Sequence, residues 1–138
     1  MIIDANNLIL GRMASYAAKK ALLGNKIDIV NCEKSVVVGK RKEILGRYHK
    51  MLQRGVHSKG PFLPRMPDRF VKRTIRGMLP YRVAKGRLIF KNIRCYIGIP
   101  DAFKNGKIEA LENISILKTN AVDYLKVKDI CNSLGGKI

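Results

Sequence analysis

Positive charge in this chain is packed into its middle third. Residues 40–94 hold 17 Lys and Arg against two carboxylates, Glu43 and Asp68, a net of +15. Residues 1–39 come to +2 and residues 95–138 to +1, so nearly all of the formal charge of +18 sits in one stretch. A generally basic, solvated surface would distribute its cations evenly. Segregation of this kind points to a binding region held in a frame of ordinary charge. Charge this dense costs folding free energy through self-repulsion unless a polyanion neutralises it. Nucleic acid is the first candidate partner and an anionic membrane surface the second.

The frame is apolar enough to fold. With 46% hydrophobic residues, the chain is no disordered basic tail. Its 138 residues suit a single domain, 1–138, with a basic segment at 40–94 and a strand/helix appendage at about 105–138. No uncharged run approaches the ~20 residues that span a bilayer. The opening Met1-Ile2-Ile3-Asp4-Ala5-Asn6 lacks the basic and apolar regions of a secretory signal. Cys32, Cys95 and Cys131 are odd in number and far apart, which fits reduced thiols rather than a disulfide framework. A cytoplasmic location without membrane contact is the expectation.

Periodicity gives the coarse order of elements. Ile2-Ile3 and Leu8-Ile9-Leu10 flank Asp4 to Asn7 and read as an edge strand and a turn. Over residues 11–23 Ala14, Ala17, Ala18, Ala21 and Leu22 recur at helical spacing, and Gly24-Asn25 supplies the stop. Ile27 to Val30 and Val36 to Val38 are short, β-branched and bounded by turn residues, hence strands. Strand, helix, strand in that order predicts a parallel crossover. The expected class is therefore α/β with a parallel sheet. A second helix over residues 40–52 would bury Ile44, Leu45, Tyr48, Met51 and Leu52. Residues 53–66 break every period at Gly55, Gly60, Pro61 and Pro64. A loop so long is either functional or disordered. Residues 93–97 alternate as a strand, 114–117 form a possible short one, and Val127, Ile130, Cys131 and Leu134 mark a last helix closed by Gly135-Gly136.

The stretch 67–79 is the most readable part. Pro67 suits a first helical position and Asp68 a first turn. At about 100° per residue, Arg69, Lys72, Arg73 and Arg76 fall within an arc of about 100°, while Phe70, Val71, Ile75, Met78 and Leu79 take the opposite side. A solvated helix face explains such a pattern equally well until two facts are added. No acidic residue stands three or four places after any of these cations, and an irregular basic loop directly precedes them. Arg82, Lys85, Arg87 and Lys91 follow closely. An arginine-rich helix beside an adaptable loop suits RNA, where guanidinium groups pair with phosphates or stack on unpaired bases. Duplex readout would not need the loop, and a membrane helix would want more aromatics than Phe70 alone.

The sequence carries no catalytic or metal-binding constellation. The dinucleotide fingerprint and the Walker-type loop are absent, and no two cysteines have metal-ligand spacing. His57-Ser58 lacks an orienting carboxylate, and His49 suits a solvated or phosphate-facing side chain better than a general base. With two carboxylates in the basic stretch, paired acid–base catalysis has no candidates. No catalytic residue, metal, cofactor or small-molecule substrate is expected.

A family resemblance completes the reading. Leu10-Gly11-Arg12-Met13-Ala14-Ser15, Lys59-Gly60-Pro61-Phe62, Pro67-Asp68, Arg76-Gly77-Met78-Leu79-Pro80, Gly86-Arg87 and Tyr96-Ile97-Gly98-Ile99-Pro100 occur in order over residues 1–100. The set resembles the universal large-subunit ribosomal protein thirteen family. The Gly-Pro-Phe loop looks like its archaeal and eukaryotic branch, and the lack of a long C-terminal extension points to an archaeal-like member. The resemblance implies a three-layer α/β/α domain with a small mostly parallel sheet of about four strands plus the basic loop-helix segment, a ribosomal location, and large-subunit rRNA with neighbouring ribosomal proteins as partners. Ten side chains are then expected on RNA: Arg54, Lys59, Arg65, Arg69, Lys72, Arg73, Arg76, Arg82, Lys85 and Arg87. The alternatives are an RNA-modifying enzyme or a free-standing regulator using the same surface.

Overall fold

The computed structural model describes residues 1–56, 58–104, 106, 108–109, 111–119 and 122–138. Strand β1 (Ile2–Asp4) leads through helix α1 (Leu10–Leu22) into β2 (Ile27–Val30), and the two strands pair in parallel. β3 (Val36–Val38), α2 (Arg41–Gln53), α3 (Pro67–Gly77), α4 (Ala84–Lys91) and β4 (Ile93–Cys95) follow. β5 (Ile108–Glu109), β6 (Tyr124–Lys126) and α5 (Val127–Ser133) complete the order. Four strands make one sheet, β4-β2-β1-β5, parallel throughout. The α/β class and the four-strand sheet are as the sequence predicts.

The register puts Ile3 beside Ile29 and Ile27 beside Ile93, so these four isoleucines share one face and are wholly buried. α1 packs on β2, α3 on β4, and the two helices on each other. Small side chains let them approach: Ala14, Ala17, Ala18 and Ala21 of α1 are buried against Phe70, Val71 and Ile75 of α3 in one continuous core. The layer over the other face is thin. Gly106 lies against Ile2, and Tyr96 stacks on Phe103 of the 3-10 turn Asp101–Phe103. Among the described residues no helix is long and apolar enough to cross a membrane.

Several local expectations are corrected. β1 is not an edge strand, because β5 pairs along its free side. β3 lies outside the parallel sheet and pairs antiparallel with β6. Leu22 and Met51, expected in buried stripes, are exposed. Residues 114–117 form no strand. They lie in the 3-10 turns Glu112–Ile114 and Ile116–Lys118, with Ser115 bridged to Leu8. The C-terminal stretch belongs to the core, since Val127, Ile130 and Cys131 of α5 are fully buried in it. α5 ends in a Schellman turn, Gly135 at φ +85° and the Gly136 N–H on the Cys131 carbonyl at 2.8 Å. Gly136 there touches backbone of the loop before α3, where a Cβ would stand 2.4 Å from the Arg65 carbonyl oxygen.

Candidate nucleic-acid interface

α3 is amphipathic in fact. Pro67, Phe70, Val71 and Ile75 are buried, whereas Arg69 and Arg76 are exposed and Lys72 and Arg73 half-buried. The helix is shorter than predicted. Met78 and Leu79 form a turn after it, with Leu79 buried and Met78 exposed, its sulfur 3.5 Å from the Ser15 hydroxyl. The N-terminal Pro and Asp are where a helix start tolerates a missing N–H and favours a carboxylate. Asp68 turns one carboxylate oxygen, buried and without a hydrogen-bond partner, beside a hollow of about 310 Å³ that Arg69, Lys72 and Arg94 also line.

The cations of α3 lie over aromatics contributed by the next segment. Lys72 Nζ stands 5.0 Å from the Phe90 ring centre and the Arg76 guanidinium 5.2 Å from that of Tyr81. Tyr81 and Phe90 meet edge to face at 5.4 Å. Cation–π contact holds the charged heads in place while leaving their outer edges open to a partner. Arg73 differs: its guanidinium donates to the Phe62 carbonyl, pinning the loop to the helix.

α4 carries the rest of the patch and is absent from the sequence reading. Arg82, Lys85 and Arg87 are exposed, Arg87 donating to the Arg82 carbonyl at 3.2 Å. The helix sits directly on the turn at Pro80: a Cβ on Gly86 would fall 2.0 Å from the Pro80 carbonyl oxygen, so only glycine fits. In the loop, Val56 and Gly60 bridge antiparallel, and Arg54, Lys59 and Arg65 are exposed. Arg54 and Arg65 line one hollow of about 470 Å³; Arg69, Lys72, Arg73 and Arg76 line another of about 250 Å³. Arg76 and Arg82 meet at a third, of about 560 Å³. Lys59, Lys85 and Arg87 stand apart from all three.

Sequence reasoning missed Arg94 and the aromatics Phe62, Tyr81 and Phe90. Arg94 was signalled by its alternation with the buried Ile93. Phe62 was visible only as part of the Gly-Pro-Phe motif, and Tyr81 and Phe90 lie outside the helical wheel of residues 67–79. Among the described residues, no Lys or Arg of 40–94 forms an ion pair with a carboxylate; the pair seen, Lys104–Asp101, lies elsewhere. Nor do the described residues gather three metal-ligating side chains. His49 is exposed and hydrogen-bonds the Ser133 hydroxyl at 2.8 Å, while His57 lies outside the described residues. Cys32 and Cys131 are buried and Cys95 half-buried. Burial, and then the charge of Asp68, pushes the Cys131 thiol up to about 12. A hydrogen bond with Cys95, then burial, holds the Cys32 thiol well above its ordinary value. Neither buried thiol is a nucleophile at neutral pH.

Comparison with known proteins agrees with this geometry. The family model described as ribosomal protein L13 matches residues 1–102. The chain belongs to the ribosomal protein L13 family. Similar members include the large ribosomal subunit protein uL13 of Methanosarcina barkeri, 39% identical over 99% of this chain and 98% of the relative. That of Methanococcoides burtonii is 37% identical with the same coverage. That of Methanopyrus kandleri is 44% identical over 78% of this chain and 68% of the relative. The L13 family match thus takes in α3, α4 and the loop between α2 and α3, and the two longer alignments run on through α5.

Proposed function

We propose that this L13-family chain is a structural constituent of the large ribosomal subunit that binds large-subunit rRNA through residues 40–94 and supports early subunit assembly. The observation that carries it is a cationic stretch, from the loop through α3 to α4, in which, among the described residues, no Lys or Arg forms an ion pair with a carboxylate. A polyanion completes what the fold leaves unneutralised. Arg69, Lys72 and Arg76 meet phosphates from α3, Arg82, Lys85 and Arg87 from the α4 side, and Arg54, Lys59 and Arg65 from the loop. Arg73 holds the loop and offers its remaining N–H groups. Neighbouring ribosomal proteins cover part of the rest, and the location is the cytoplasmic ribosome. The family is one of structural ribosomal proteins, so the reading as an RNA-modifying enzyme is not favoured.

Co-sedimentation of the native protein with large subunits after a high-salt wash tests this. Retention in the subunit pellet is the expected result. Release into the supernatant would point instead to a free-standing regulator.

A further inference from the structure

Phe62 is out of place for a residue with only packing to do. It is 70% exposed, yet it is not loose. Its carbonyl is held by the Arg73 guanidinium, and its ring lies on Gly60, where a Cβ would stand 3.1 Å from Cδ2. Phe62 borders the larger hollow beside the loop, and together with Arg69, Lys72, Arg73, Arg76 and Phe90 it also lines the hollow of about 250 Å³. That volume is below the ~300–1,000 Å³ of sites for drug-sized ligands. It suits one planar ring system and nothing as bulky as a helix.

We propose that Phe62 and this hollow capture a single unpaired RNA base, stacked on the Phe62 ring, with the flanking phosphates on Arg69 and Arg76. The inference rests on the rRNA-binding reading above and adds what kind of nucleotide the surface selects. An exposed aromatic on a tethered backbone, among guanidinium groups, offers both halves of a nucleotide a partner: a π-face for the base and charge for its phosphates. A paired base is already stacked on both faces, so duplex RNA gains nothing from Phe62. An apolar protein segment covering the ring would leave the surrounding cations unneutralised, which disfavours a protein occupant.

The probes are three hairpin RNAs of one stem sequence: one with a single bulged adenosine, one with an abasic nucleotide at the bulge, and one fully paired. Each is titrated with the full chain at fixed salt. The native protein should bind the adenosine bulge about tenfold more tightly than the abasic hairpin. Phe62→Ala should erase that preference, leaving affinity for the abasic hairpin and its salt dependence unchanged. Phe62→Tyr should restore the preference. Equal native affinity for all three hairpins would overturn base capture, as would a Phe62→Ala loss equal on all three. Binding to every hairpin that ignores salt would overturn the rRNA reading itself.

Discussion

Arg73 and Arg76 stand almost one turn apart on the same face of α3, yet they do different work. Arg73 is half-buried and tied to the Phe62 carbonyl; Arg76 is exposed and rests on Tyr81. Arg73→Ala should therefore cost about 1 kcal/mol of stability, the scale of one hydrogen bond. It should also speed tryptic cleavage within residues 54–65. Arg76→Ala should leave the melting temperature nearly unchanged, within about 0.5 kcal/mol, while weakening RNA binding. Thermal melts and limited proteolysis, run beside RNA titrations, separate the two. Equal thermal losses would mean both arginines are clamps. The helical wheel placed all four α3 cations in one arc. It could not show that one of them is committed to a backbone carbonyl eleven residues upstream, because that contact depends on how the loop folds back.

α4 shows the same limit at the next level. Gly86 in its first turn, and no side chain capping its N-terminus, make it look like a continuing loop. Tertiary contact makes it a helix. The missing Cβ lets the helix rest on the Pro80 carbonyl, and Tyr81 meets Phe90 across the turn. Gly86→Ala should thus destabilise the protein by at least the ~1–3 kcal/mol of an overpacked site. It should also displace Arg82, Lys85 and Arg87 from α3. Chemical denaturation measures the first effect, and weakened RNA binding by the refolded variant the second. A melting temperature equal to the native one would show that α4 has room to shift. By contrast α1, β2 and α3 were legible, since their alternations and caps are local. β5 was not. Two residues carry too little pattern, and its pairing with β1 spans more than 100 residues of chain. β3 was legible as a strand but not in its partner, because pairing with β6 is equally remote.

Taken whole, the molecule has two electrical regions in a single core. The sequence showed the +15 of residues 40–94; the fold adds that, among the described residues, none of these cations forms an ion pair with a carboxylate. If about six phosphates are neutralised, log K should fall against log salt with a slope of about −4 to −5, between the single-strand and duplex coefficients. RNA titrations over a range of monovalent salt measure it. A slope near zero would mean that the contacts are not electrostatic.

Gly136 against the Arg65 backbone has a consequence for the order of manufacture. A nascent chain emerges N-terminus first, so the stretch bearing Arg65 is made long before the glycine that braces it. α5 and its terminal turn leave the tunnel well after Arg65, since Gly136 follows it by 71 residues, and only then does that stretch gain its brace. For that interval of synthesis the Arg65 backbone lacks the contact that fixes it in the folded chain.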